Sequence, residues 1–413
     1  MTGIFKSEQE MQLWLSSKLK ELEGLSDLII NIDDFQEYKP QNLSDRKIFE
    51  SFNYCLSSLN IVDIISENEN ISLNPSDSLR PDFLLYAQET EAIVIVELKN
   101  IVTPSRQAGT EISAYGNEVK TYIPFISDGD IINVIISPVW STLLKHYVFH
   151  EIFWQQRNLL CLEPVKEDNE IKLKIVDVAS IAEDTVSFKL CNEHIGGYQV
   201  CLYDENLYLD PQNRTRLDPF IAQMKTAMSA MASKGNAQKN HGFAFLWKDG
   251  WDLSIAPYNI SVFNFAPFQS FERHFHNENF EPNIIANKFI DIIRDYDPLG
   301  HGKSLMTITS TGQKFLSNFC SPHMEGFHNW DHLSESMLTR CNPLISFKCW
   351  GAFEEVLSDK ILQKYQAGES DISFDDPHLG LEVINELIDP NYQFYNLSYL
   401  EETSENDNLD DLL

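Results

Sequence analysis

Apolar residues recur at helical spacing from the start of this chain. Met11, Trp14, Leu15, Leu19 and Leu22 share one stripe and predict an amphipathic helix over 8–22. Ile48, Phe52, Cys55 and Leu59 predict a second helix running to 59, with Ser44 as its N-cap. The pattern then shortens. A strand is expected over 61–65, followed by two apolar runs, 82–86 and 92–99, that a short polar connection makes an antiparallel hairpin. A helix over 105–122, a buried strand over 131–136 and a helix over 141–157 come next, and strands near 159–163 and 171–178 complete an α/β unit.

From 194 to 218 the pattern weakens into Gly196-Gly197, Asp210-Pro211 and Asp218-Pro219, so the boundary between two domains is expected there. Beyond it the spacing predicts a helix over 220–232 and a hairpin of 243–247 with 251–255, turned at Asp249-Gly250. Two further helices are expected near 283–295 and 353–365. The expected organisation is a first α/β domain over 1–195, a linker over 196–218, a mixed α/β domain over 219–400 and an acidic tail over 401–413.

Composition narrows the class. A chain of 413 residues with 43% hydrophobic and 12% aromatic content can bury two sizeable cores. No stretch approaches the ~20 apolar residues of a membrane span. Seven scattered cysteines are no disulfide framework, and the N-terminus lacks a signal-peptide layout, so a cytoplasmic protein is expected. Net charge is −31, with the acidic excess in both halves. Such a surface repels a phosphate backbone at long range. Contact with nucleic acid therefore calls for a local basic patch, a bound divalent metal, or a protein partner or homo-oligomer that offsets the charge.

The densest chemistry lies in the first hairpin. Pro81-Asp82 opens one strand and Glu97-Leu98-Lys99 closes the next. A turn centred between Glu89 and Thr90 puts position 82 opposite position 97. Side chains alternate along a strand, so Glu97 and Lys99 share a face and Leu98 turns away. Two carboxylates and one ammonium then surround one point, an arrangement suited to a cation with a charged helper.

The order helix, strand, Asp-bearing strand, Glu-x-Lys strand, helix, strand resembles the PD-(D/E)xK superfamily of restriction-endonuclease-like nucleases over roughly residues 1–190. That resemblance implies a mixed sheet flanked by helices and a metal-dependent endonuclease hydrolysing DNA phosphodiesters. The cofactor would be Mg²⁺, with Mn²⁺ able to substitute. Asp82 and Glu97 would be metal ligands with the Leu98 carbonyl as a third, and Lys99 would orient or help deprotonate the attacking water. Many members carry Gln-x-x-x-Tyr on the following helix. Here the matching positions hold Glu111 and Tyr115, which leaves Glu111 open to two roles, an extra ligand or a helix-surface acid. Members also carry a glutamate on the first helix, and Glu8 is favoured over Glu50 because it shares the stripe of Met11, Leu15 and Leu19. The setting such nucleases suggest is bacterial restriction or anti-phage defence. The competing reading is a catalytically inactive interaction or regulatory protein on the same scaffold.

Other motifs carry less. Gly300-His301-Gly302-Lys303-Ser304 has Asp297 where a phosphate-binding loop needs glycine, and it reads as a polar turn. Cys320, His323, His328 and His332 are spaced too closely for a usual zinc finger. Phe263, Phe265, Phe268, Phe271 and Phe275 read as core or contact residues, and Lys225, Lys234 and Lys239 as a solvated helix end.

Overall fold

The computed structural model describes residues 4–41, 43–74, 76–100, 108–182, 192–265, 284–296 and 302–388. The chain divides into two compact units, Met1–Phe188 and Lys189–Leu413. Both are α/β. The acidic tail, together with Phe268, Phe271 and Phe275, lies outside the described residues.

In the first unit, α1 (Glu8–Glu21) starts where the Ser7 hydroxyl accepts the Glu10 N–H, and it buries Met11, Leu15 and Leu19. A short helix, α2 (Ile32–Gln36), precedes α3 (Leu43–Leu56). Ser44, the expected N-cap of α3, instead lies inside the helix and is buried. The Asp45 carboxylate, on the first turn, accepts the Gln41 N–H at 3.2 Å ahead of the helix.

Six strands follow: β1 (Val62–Glu67), β2 (Phe83–Ala87), β3 (Ala92–Leu98), β4 (Ile131–Ile136), β5 (Leu159–Glu167) and β6 (Glu170–Ile175). They form one mixed sheet in sequential order. β1, β2 and β3 run as an antiparallel meander, β3, β4 and β5 are parallel, and β6 returns antiparallel. Helix α4 (Ala108–Tyr122) connects β3 to β4, while α5 (Thr142–Phe149) and a π-helical turn (His150–Trp154) lead to β5. The single helix expected over 141–157 therefore stops early, with Ser141 as its N-cap. A short α6 (Val178–Ala182) ends the described part of this unit.

Every residue of β3 and β4 is buried, as befits central strands covered on both faces. Val94, Val96 and Leu98 enter the core shared with α1 and α3. Ile93 and Ile95 face the other way, against Tyr115 and Val119 of α4. The β5–β6 hairpin turns at Asp168-Asn169, both at positive φ. This pair has the chemistry of a two-residue hairpin turn.

The second unit is built on β7 (Ile195–Tyr203), β8 (Gly242–Asp249), β9 (Tyr258–Phe265), β10 (Ser321–Asn329) and β11 (Cys341–Trp350). Their order is β10-β7-β9-β8-β11, antiparallel throughout. Helices α7 (Ile221–Ala237) and α9 (Gly302–Leu316) share one core with it. Helices α10 (Trp330–Arg340), α11 (Ala352–Gln366) and α12 (Pro377–Leu387) share the other, around Phe243, Phe245, Phe263 and Phe347. Helix α8 (Ile284–Tyr296) exposes Ile284 and Ile285.

Three expectations for this unit are corrected. Residues 196–218 are not a linker, because β7 is an interior strand. A Cβ on Gly197 would stand 2.3 Å from the Val262 carbonyl oxygen, so the glycine serves close strand contact. The second hairpin does not turn at Asp249-Gly250 either. The Asp249 carboxylate accepts the Trp251 N–H and pairs with Arg340, and Gly250 N–H donates to the Arg340 carbonyl. The chain is thereby drawn into a longer connection, and β9 starts only at Tyr258. Gly302-Lys303-Ser304, expected as part of a turn, opens α9.

Candidate functional site

The register of the first hairpin is the one its sequence predicts. Phe83 pairs with Val96 and Leu85 with Val94, so the next step brings position 82 opposite 97. Asp82 lies just ahead of β2. Its backbone carbonyl accepts the Asn68 N–H at 3.0 Å, and its Oδ2 accepts the Leu98 N–H at 2.7 Å. The aspartate thus crosses from one strand end to the next and fixes the two acid-bearing segments against each other.

Glu97 and Lys99 project from the same face, as alternation requires. Lys99 Nζ donates to Glu97 Oε1 at 2.5 Å and to Glu111 Oε2 at 3.0 Å. The Lys99 N–H continues the parallel ladder by donating to the Ile136 carbonyl, which holds the residue at the end of the sheet. The Glu97 side chain is 4% exposed, Lys99 9% and Glu111 35%, so the three run from the interior toward solvent. Glu97 Oε2 is buried and has no hydrogen-bond partner among the described residues.

Burial sets the electrostatics. It pushes the Asp82 carboxyl up to about 6, opposed by the Leu98 N–H and reinforced by Glu8. It pushes Glu97 up as well, against the pull of Lys99 and with Asp82 adding to the rise. Desolvation alone would lower the Lys99 ammonium, but Glu97 and Glu111 together hold it above the ordinary lysine value. Lys99 therefore keeps its charge between them.

The accessory residues divide. Glu8 is close enough to raise the Asp82 carboxyl. Asn100 helps bring it there, since its side-chain amide donates to the Phe5 carbonyl just ahead of α1. Glu50 is on the exposed side of α3, beside Arg46. Tyr115 is buried, but its hydroxyl donates to the Arg80 carbonyl at 3.0 Å and not to a carboxylate. It steadies the backbone that leads into Asp82. Asn68, Arg80 and Asn100 escaped the sequence reading because each acts across loops or between elements with no local pattern.

Among the described residues, no group of three His, Cys, Asp or Glu is placed to hold a metal ion. Lys99 Nζ stands between Glu97 and Glu111 instead. The donor chemistry nonetheless fits a hard divalent cation: carboxylate oxygens, one of them a buried Oε2 unpartnered among the described residues, with one lysine as their counter-charge. No family model, curated protein or solved structure matches this chain.

Proposed function

We propose that the first unit is a metal-dependent nuclease that hydrolyses DNA phosphodiester bonds. The observation that carries this reading is the joining of Asp82, Glu97 and Lys99 at the ends of two neighbouring strands, with a buried Glu97 oxygen that has no partner among the described residues. The element order α3-β1-β2-β3-α4-β4 supports it, since the PD-(D/E)xK resemblance expects that order.

In this reading Asp82, Glu97 and the Leu98 carbonyl hold Mg²⁺ or Mn²⁺. When bound, that ion supplies a more acidic water and offsets charge on the scissile phosphate. The chain's own residues do the positioning. Asp82 is oriented by the Leu98 N–H, and the buried walls around Glu97 strengthen its attraction for any cation. Lys99 keeps its proton because two carboxylates face it, so it acts as a donor toward a phosphate oxygen or the attacking water. The acidic chain as a whole repels DNA, so the cation, a partner protein or a second copy has to bring substrate in. Restriction or anti-phage defence is the setting this resemblance suggests.

The test is a plasmid-nicking assay on the full chain with Mg²⁺ or Mn²⁺. Wild type should nick or linearise DNA, and Glu97→Ala and Lys99→Ala should reduce the rate at least about a hundredfold while retaining helical circular dichroism. Equal behaviour of all three proteins on DNA and RNA sinks the enzyme reading and favours an interaction protein.

A further inference from the structure

Glu111 and Glu97 offer Lys99 two seats of unequal depth. Glu97 is interior and Glu111 is about a third exposed, and the one ammonium touches both. A cation that engaged the Glu97 carboxylate would meet Lys99 Nζ already on Oε1, with a repulsion that is strong wherever water is excluded. Glu111 provides the way out. It lies toward solvent from Glu97, keeps its own contact with Nζ, and offers a carboxylate on which the lysine stays paired once it leaves Oε1.

We infer that Lys99 is a built-in competitor for the cation site and that Glu111 is a positioning residue, the seat onto which the lysine withdraws when a divalent ion binds. The inference rests on the metal-dependent reading above and adds a regulatory property to it. Ion binding and lysine placement become one event, so the lysine is freed from the ligand only when the ion is present. It also gives Glu111 a role different from those of a metal ligand and of an idle surface acid.

Two substitutions separate these roles when Mn²⁺ binding alone is measured, by calorimetry and by the loss of free-ion electron-spin resonance signal. Lys99→Met removes the competitor and should tighten Mn²⁺ roughly tenfold or more, even though it destroys cleavage. Glu111→Gln removes the outer seat and should weaken Mn²⁺ by about threefold or more in the wild-type background. In the Lys99→Met background the same change should have an effect below about twofold, because Glu111 acts through the lysine. Lys99→Gln replaces Lys99→Met should the latter lower the melting temperature.

If Lys99→Met binds Mn²⁺ no better than wild type, the competitor role is wrong. If Glu111→Gln costs the same affinity with and without the lysine, Glu111 acts directly on the ion and the inference falls. Both results leave a metal-dependent nuclease intact. If neither wild type nor any variant binds Mn²⁺, the metal-dependent reading fails and takes this inference with it.

Discussion

Replacing Asp82 by asparagine should stabilise the folded protein at neutral pH and abolish its response to divalent cations. Asparagine keeps an acceptor oxygen for the Leu98 N–H, which Asp82 holds at 2.7 Å, and removes the charge. Burial raises the Asp82 carboxyl from 3.8 to about 6, which corresponds to about 3 kcal/mol of unfavourable charge in the folded state at pH 8. Partial solvent access makes that an upper figure. The sign follows from linkage. The folded pKa lies above the unfolded one, so the contribution of the protonated carboxyl is present below about pH 4 and is lost as pH rises through 6. The gain from Asp82→Asn is therefore largest at pH 8 and about 1 kcal/mol smaller at pH 5.5. Scanning calorimetry of the full chain reads it, because the substitution should move a single transition. For a unit of this size the shift is up to roughly 6–12 °C upward at pH 8. Adding Mg²⁺ should raise the same transition in wild type and leave the variant unmoved. A downward shift at pH 8 would refute the reasoning. Asp82 would then be a structural acceptor whose charge the site already compensates.

The remaining predictions address the surroundings. Glu8→Gln should lower the nicking rate whereas Glu50→Gln should not, since the Glu8 carboxylate lies within electrostatic reach of Asp82 and can add to the negative field for a cation, while Glu50 lies beside Arg46 on the exposed side of α3; equal rates in steady-state cleavage remove Glu8 from the site. Tyr115→Phe removes the bond to the Arg80 carbonyl and should cost about 1 kcal/mol in urea unfolding, with Mn²⁺ affinity nearly unchanged. A large loss of affinity would make the tyrosine a direct participant. In the second unit, Phe243→Ala should cost about 3–5 kcal/mol, because the ring is fully buried among Phe263, Trp330, Phe347 and Phe353. Its calorimetric transition should fall while that of the first unit stays in place.

Legibility in this sequence followed the range of the interaction. The β2–β3 hairpin could be read because its strands, turn and register occupy fewer than about twenty consecutive residues, where alternation and turn length fix which side chains face each other. The buried strand over 131–136 was legible for the same reason, as an uninterrupted apolar run. The second unit read less well. Gly196-Gly197 and Asp249-Gly250 carry turn chemistry, yet one is packed into a strand and the other is engaged by Arg340, a residue far along the chain. Local signals misled where a distant partner took over the same groups.

The sequence by itself determined the residue types at positions 82, 97 and 99, the face that Glu97 shares with Lys99, and the register that brings Asp82 opposite Glu97. Those follow from the period of a pleated strand. Only the tertiary structure decided which acids join them. Glu8 comes near through the Asn100 contact ahead of α1, and Glu111 reaches Lys99 from α4. Burial, too, belonged to the fold. Glu97 is a carboxylate in any chain, but layers on both faces of the sheet strip its water, raise its pKa and leave Oε2 without a partner among the described residues. That desolvation turns a short acidic pattern into a site with a strong demand for a cation.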